Sequence, residues 1–210
     1  MQRLLLLKQQ MNTMHNPWDE RYNRPEYIYG TAPNKFFKEF IEKNKPGKLL
    51  LPGEGEGRNS VYAARAGWEV TAFDSSAVAR AKALDLARQM KVSVQYELCS
   101  VMDFEPNHTY DLISLIYLHL KPEVRKPFHQ KLMGQLNEQG HILIEAFSRE
   151  QIHKPTGGPK NLDLLYSVDE LRNDFDGLHI HRLEHITTHL EEGSHHQGEA
   201  RVIRMLASKK

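Results

Sequence analysis

Gly53, Gly55 and Gly57 fall at alternate positions in "LLLPGEGEGRNS", directly behind the apolar run Leu49–Leu51 and ahead of the helical pattern "NSVYAARA". A turn this rich in residues without a Cβ, set between a strand-like run and a helix-like one, lets a ligand approach bare backbone. It does so at a helix N-terminus, where N–H groups lack partners. A second apolar run, "EVTAF", ends in Asp74, 21 positions after Gly53. An acid at that place accepts hydrogen bonds from ribose hydroxyls. The chain is thereby committed early to a strand–turn–helix–strand unit with room for a nucleoside.

The same alternation runs on. "NKFFKEFIEKN" puts Phe36, Phe37, Phe40 and Ile41 on one helical face, and Pro46 with Gly47 closes it before "KLLL". "AVARAKALDLARQM" reads as a helix, and "VSVQYEL" alternates Val92, Val94, Tyr96 and Leu98 with a strand period. "YDLISLIYLHL" is almost entirely apolar, as in a strand covered on both faces. Pro122 opens a helix with Val124, Phe128, Leu132 and Leu136 spaced by four, ending before Gly140, and "HILIEAF" is a fifth strand. Strands alternating with helices over short links predict an α/β fold, a parallel sheet wrapped by helices. After Ser148 the long polar segment "SREQIHKPTGGPKNLDLLY" loses regular structure, and loops of that length are functional or disordered. "SVDE" at 167–170 is a capping box, and the C-terminal stretch reads as two strands in an antiparallel pair. Residues 1–17 read as a flexible tail with Met11 and Met14 as alternative starts, and 18–210 as one domain.

Composition narrows the function. The 210 residues are 40% hydrophobic, enough for a sizeable core, and a formal charge of +1 gives no drive towards nucleic acid. Basic and aromatic residues do not cluster in any one stretch either. No apolar run nears the ~20 residues of a membrane helix, and the four leucines near the start fall short of a secretory core of roughly 7–15. The single cysteine, Cys99, sits in apolar surroundings and reads as a buried thiol in a reducing compartment, so the expected location is cytoplasmic. Twelve histidines raise the question of a metal. His179, His181, His185 and His189 share one parity, but strand positions four apart lie ~13 Å apart. With no H-E-x-x-H and no cysteine pair, they read as a solvated face and no metal is expected.

The glycine loop departs from the dinucleotide fingerprint, because Arg58 stands where its third glycine belongs. Glu54 and Glu56 would also face a pyrophosphate with negative charge. A nicotinamide-dependent oxidoreductase is therefore the weaker alternative. A nucleoside without phosphates that carries positive charge fits better, and S-adenosylmethionine, with an ammonium and a sulfonium, is such a ligand. In the turn "CSVMDFEP", Asp103 is placed to reach an adenine amino group, with Met102 or Phe104 packing near the base.

In order and spacing, "WDERY", "YGTAPNKFF", "GEGEGRN", "FDSS", "MDF", "YLHL", "GHILIEAF", "TGGPKNLDLLYSVDELRNDF" and "EGSHHQGEARVIR" resemble the class I S-adenosylmethionine-dependent methyltransferases. Among these the chain is most similar to the group around the tellurite-resistance and thiol methyltransferases, over roughly Trp18 to Leu206. The resemblance implies a Rossmann-like sheet of seven strands, mostly parallel with a C-terminal antiparallel hairpin, and helices on both faces. By motif match, Gly53, Gly55 and Gly57 line the methionine part, with Arg58 and Asn59 beyond them. Asp74 and Ser75 lie at the ribose, and Met102 and Asp103 near the adenine. Many members carry an acid where Leu51 stands; here Glu54 is the candidate partner of the ammonium. Residues 18–34 resemble the family's lid, with Arg21 pairing a carboxylate and Tyr22 and Tyr29 closing over the cofactor; packing on the sheet is the plain alternative.

Tyr117 and His119, just past the fourth strand, fall where open α/β sheets bind ligands. His119 is a candidate general base, or else it caps the next helix or shapes the pocket. The loop "HKPTGGPK" and the turn "EGSHHQG" offer His153, His195 and His196 as an opposite wall. The expected acceptor is a small molecule, a thiol or a chalcogen compound, which once ionised needs positioning more than a base. No nucleic-acid or membrane partner is expected, and the chain is expected to be a monomer or homodimer. A cofactor-binding module without activity is the non-enzymatic alternative.

Overall fold

The computed structural model describes residues 16–210, so Met11, Met14 and most of the expected tail lie outside the described residues. Seven strands form one sheet in the order β3-β2-β1-β4-β5-β7-β6. They are β1 (Lys48–Pro52), β2 (Glu69–Asp74), β3 (Gln95–Leu98), β4 (Tyr110–Ile116), β5 (Leu136–Phe147), β6 (His179–Glu192) and β7 (His196–Ser208). The first five run parallel, and β7 lies antiparallel between β5 and β6. The helices are α1 (Pro17–Tyr22), α2 (Lys35–Lys43), α3 (Arg58–Arg65), α4 (Ala77–Gln89), α5 (Pro122–Met133) and α6 (Val168–Asp174).

The period of two on β1 divides the core. Leu49 and Leu51 join Phe37, Val61 and Leu86 on the face covered by α2, α3 and α4. Leu50 points the other way and joins Ile113, Phe128 and Leu171 under α5 and α6. Helix ends follow local chemistry. Asn34 caps α2 at Phe37 N–H, Ser76 caps α4 at Ala79 N–H, and Ser167 with Glu170 forms the expected capping box on α6.

Three boundaries differ from the sequence reading, one of them the third strand, which opens at Gln95 rather than at Val92. The spacing of four through Leu136 suggested one helix to Gly140, but α5 stops at Met133 and Leu136 opens β5, opposite Tyr110. The register then shifts, so that Leu112 faces His141. Gly140 sits in this irregularity because a Cβ there would lie 2.8 Å from the Tyr110 carbonyl. The apolar run of the fourth strand ends early, at Ile116, because Tyr117 turns the chain with φ +53°. The polar segment after Ser148 holds two short 3₁₀ turns, Arg149–His153 and Leu162–Leu164. On β6, His179, His181, His185 and His189 are all exposed. Among the described residues no group of three metal-binding side chains comes together, and no helix is long and apolar enough to cross a membrane.

Gly57, which precedes α3, has φ +91°, and a Cβ on it would lie 2.7 Å from the Ala83 side chain and 2.8 Å from its Cα. Backbone strain and the α3–α4 contact both exclude a side chain there. Gly57→Ala should lower unfolding stability by about 1–3 kcal/mol, read as an earlier urea midpoint; an unchanged midpoint would contradict this packing.

Candidate functional site

A cavity of about 700 Å³ opens at the carboxyl ends of β1 and β4, where the strand order reverses. Gly53 and Glu54 after β1, Asp74 and Ser75 after β2, and Tyr117 and His119 after β4 line it. Arg21, Tyr22 and Tyr29 close one side, and Arg58, Asn59 and His196 also reach it. These twelve expected residues are thus brought together.

The glycine loop holds itself with acids. Asp74 accepts the Gly55 N–H (3.0 Å) and the Ser76 N–H (2.9 Å). Glu54 accepts the Asn59 (2.9 Å) and Ser60 (2.6 Å) N–H groups at the start of α3. Glu54 therefore fills the place where a phosphate would sit on a helix N-terminus. Burial pushes its carboxyl up to about 7, although the Ser60 and Asn59 donors act to lower it. Burial likewise raises Asp74 above the usual aspartate range, against the pull of the Ser76 and Gly55 N–H groups. Glu56 turns away to accept the Ile28 N–H (2.9 Å) and to pair with Lys82. Lys82 also bonds the carbonyls of Arg24 (3.1 Å) and Glu26. On the far side, Ser194 and His195 N–H groups bond the Ile28 carbonyl. The segment from Asn16 to Asn34 is thus fastened at both edges of the cavity.

Several expectations need correction. Gly55 and Gly57 do not line the cavity: the Tyr22 hydroxyl lies over Gly55, and Gly57 faces Ala83. Met102 is 68% exposed, and Asp103 accepts the Ser100 hydroxyl (2.6 Å); neither reaches the cavity, whose wall there is Cys99, Ser100 and Val101. Phe104 is buried against Phe73 instead. Cys99 is only half-buried, with its thiol pushed up to about 11 by burial and then by Glu97. His153 is exposed on its loop, and His195 lies on the outer side of the α1 segment, beside Arg21 and Arg24.

His119 is not placed to act as a base. Its Nδ1 lies 2.6 Å from the Leu164 carbonyl and must donate to it, while Nε2 accepts the Phe147 N–H at 3.3 Å. Both nitrogens are spent, and burial holds the ring neutral by pushing it down to about 4. Tyr117 donates its hydroxyl to Glu145 (2.7 Å) and shows the cavity only its ring, stacked on Phe147 at 4.6 Å. The pair shapes the wall.

Sequence reasoning missed the polar group beneath the cavity. Asn34 Nδ2 donates to Glu145 (2.6 Å) and to Glu192 (3.3 Å). Glu192 pairs with Arg58 at 3.1 Å, and Glu145 with Arg204. His196 Nδ1 lies 3.0 Å from Glu192. Burial would raise Glu192, but His196 and Arg58 outweigh it and hold it at about 2, hence ionised. Burial lowers His196, with Glu192 opposing, so the ring is neutral with its proton on Nδ1. A Pro-Asn pair before an amphipathic helix is the available signal for Asn34, and it points to the helix cap without revealing the buried carboxylates.

Residues 50–140 match a protein family described as a methyltransferase domain. The match spans β1 to β4 and the start of β5, the part of the sheet that borders the cavity. Solved structures of similar fold cover most of the chain. TehB from Haemophilus influenzae has a TM-score of 0.72 and 20% identity, covering 92% of this chain and 66% of that one, just under two thirds of its length. A structure concerned with converting a disulfide bond into a thioacetal group during echinomycin biosynthesis has a TM-score of 0.75 at 17% identity, covering 92% and 91%. Magnesium protoporphyrin IX methyltransferase from Synechocystis PCC 6803, with bound S-adenosylhomocysteine, has a TM-score of 0.65 at 15% identity, covering 87% and 91%. At these identities the likeness is one of fold. No curated protein matches the sequence.

The chemistry of the cavity suits a phosphate-free nucleoside that carries an ammonium, such as S-adenosylmethionine. Asp74 keeps lone pairs for ribose hydroxyls, Gly53 leaves the backbone bare, and Glu54 Oε2 has only a long contact of 3.4 Å with Asn59, leaving it open to an ammonium. Glu54 also sets a pH response. Its folded value near 7 lies above the ordinary glutamate value of 4.5, so the folded protein takes up a proton that the unfolded chain refuses in that window. The stability contributed by this group rises as pH falls from about 7 to 4.5. Glu54→Gln should flatten that part of the urea-midpoint profile; an unaltered profile would show that Glu54 does not titrate there.

Proposed function

We propose that this protein methylates a small molecule, with a thiol or another soft, ionisable acceptor as the preferred class. What supports the reading is an acceptor wall almost without acid–base groups. Tyr117, Leu118, Leu120, Phe147 and Leu164 surround it, and both nitrogens of His119 are committed. Such a wall suits a nucleophile that is polarizable and close to ionised at neutral pH. A volume of about 700 Å³ lies within the range of roughly 300–1,000 Å³ for small-molecule sites. The likeness to TehB and to the echinomycin structure, whose subject is a disulfide, points the same way.

When bound, S-adenosylmethionine supplies an electrophilic methyl group. Gly53, Glu54 and Asp74 would hold it, with Arg21, Tyr22 and Tyr29 over it. The chain's own chemical contribution is His196. Glu192 fixes the proton on Nδ1, leaving the Nε2 lone pair without a hydrogen-bond partner among the described residues. A Cβ on Gly157 would lie 2.6 Å from the His196 Cδ2, so the glycine lets this loop close against the ring. His196 takes the proton from a protonated acceptor as the acceptor's lone pair becomes the nucleophile, while an acceptor already ionised needs only positioning. Glu192 is the positioning residue.

The test is calorimetric titration with S-adenosylhomocysteine, then methylation assays on a thiol series. Asp74→Ala should weaken binding at least about tenfold, since one charge-assisted hydrogen bond is worth about that. His196→Ala should lower kcat by about 10²-fold with thiols of high pKa and much less with acidic thiols. His119→Phe should change kcat only a few-fold. Failure to bind the nucleoside would overturn the reading, and equal losses across the thiol series would remove His196 as the base.

A further inference from the structure

Resting on that reading of the cavity, we infer that the acceptor is an organic anion: an apolar or planar body whose negatively charged group, a carboxylate or its equivalent, is held by Lys160. The observation is an imbalance of charge between the two ends of the cavity. Its charged lining side chains are Arg21, Glu54, Arg58, Asp74 and Lys160. Both carboxylates belong to the glycine loop and the end of β2, the cofactor end. Arg58 is neutralised by Glu192 at 3.1 Å, and Arg21 lies on α1 against the Tyr29 hydroxyl and the Trp18 ring. Lys160 stands alone at the acceptor end. Its ammonium bonds the carbonyl of Lys154, and among the described residues no carboxylate pairs with it.

The loop that carries Lys160 is built to hold it there. Gln151 is fully buried; it donates to the Thr156 hydroxyl (2.9 Å) and the Gly157 carbonyl (3.1 Å), and accepts the Arg201 N–H (2.8 Å). Gly158 rests on Phe147, where a Cβ would lie 2.8 Å from the ring. Pro159 stiffens the step into Lys160, and the Leu164 carbonyl is tied to His119. A neutral acceptor filling the apolar space between Leu118, Phe147 and Leu164 gains nothing from the exposed ammonium at its rim. An anionic one gains a charge-assisted bond to it, at a solvent-facing group whose attraction salt screens. Charge at this end therefore selects among acceptors that the rings alone would admit equally.

A pair of unreactive probes of one shape separates the outcomes: 4-(methylthio)benzoate and 4-(methylthio)benzamide, titrated into protein saturated with S-adenosylhomocysteine and into free protein. The benzoate should bind at least about tenfold tighter than the benzamide, a preference that shrinks in high salt. Lys160→Met should abolish the preference with the benzamide affinity unchanged, and Lys160→Arg should retain it. Equal binding of the two probes, binding of neither, or a preference that survives Lys160→Met would overturn the inference. Failure of S-adenosylhomocysteine itself to bind would instead strike the methyl-transfer reading, and the free-protein titration would still decide for or against Lys160.

Discussion

Two carboxylates, Glu145 and Glu192, are buried within reach of a single amide, Asn34 Nδ2. Left bare, either charge would be untenable in the interior. Arg204 and Arg58 balance them one to one, Tyr117 and His196 supply further donors, and Asn34 itself caps α2. One cluster thereby ties β5, the β6–β7 hairpin, α2, α3 and the end of β4. Removing one member of such a cluster costs about 3–5 kcal/mol, because the partner left behind is a buried charge. The cavity floor is therefore set by electrostatics, with the rings of Tyr117 and Phe147 as its surface.

The fold was legible in the sequence where one period dominated. Leu49–Leu51 and the Ser167–Glu170 cap each had a local cause and formed as expected, whereas the alternation from Val92 gave a strand only from Gln95 to Leu98. Leu136 misled because its spacing of four from Leu132 is as compatible with a helix as with the start of a strand. Only the partner, Tyr110, decides, and that contact spans 26 positions of sequence. The site divided in the same way. Asp74 and Gly53 were readable because loop chemistry is local. The commitment of His119 to Leu164 and Phe147 was not, since both partners arrive through the long polar segment and the far end of β5. Met102 and Asp103 failed because a turn of "SVMD" fixes which residues face inward only once Phe104 has docked on Phe73.

The same cluster explains how reactive duties are shared. Of two histidines at the acceptor wall, one is inert and one retains a lone pair, though burial lowers both. The difference lies in what each nitrogen touches. Two backbone partners consume His119, whereas a single ionised side chain orients His196 and leaves its other nitrogen open.

The carboxylate of Glu54 on the first turn of α3 has a wider consequence. It is an internal ligand, part of the chain, present at an effective concentration no free metabolite can match. Phosphate-bearing nucleotides, abundant in any cell, meet a helix end already taken. The first turn of α3 is thus closed to phosphate by charge and by occupancy rather than by a steric barrier.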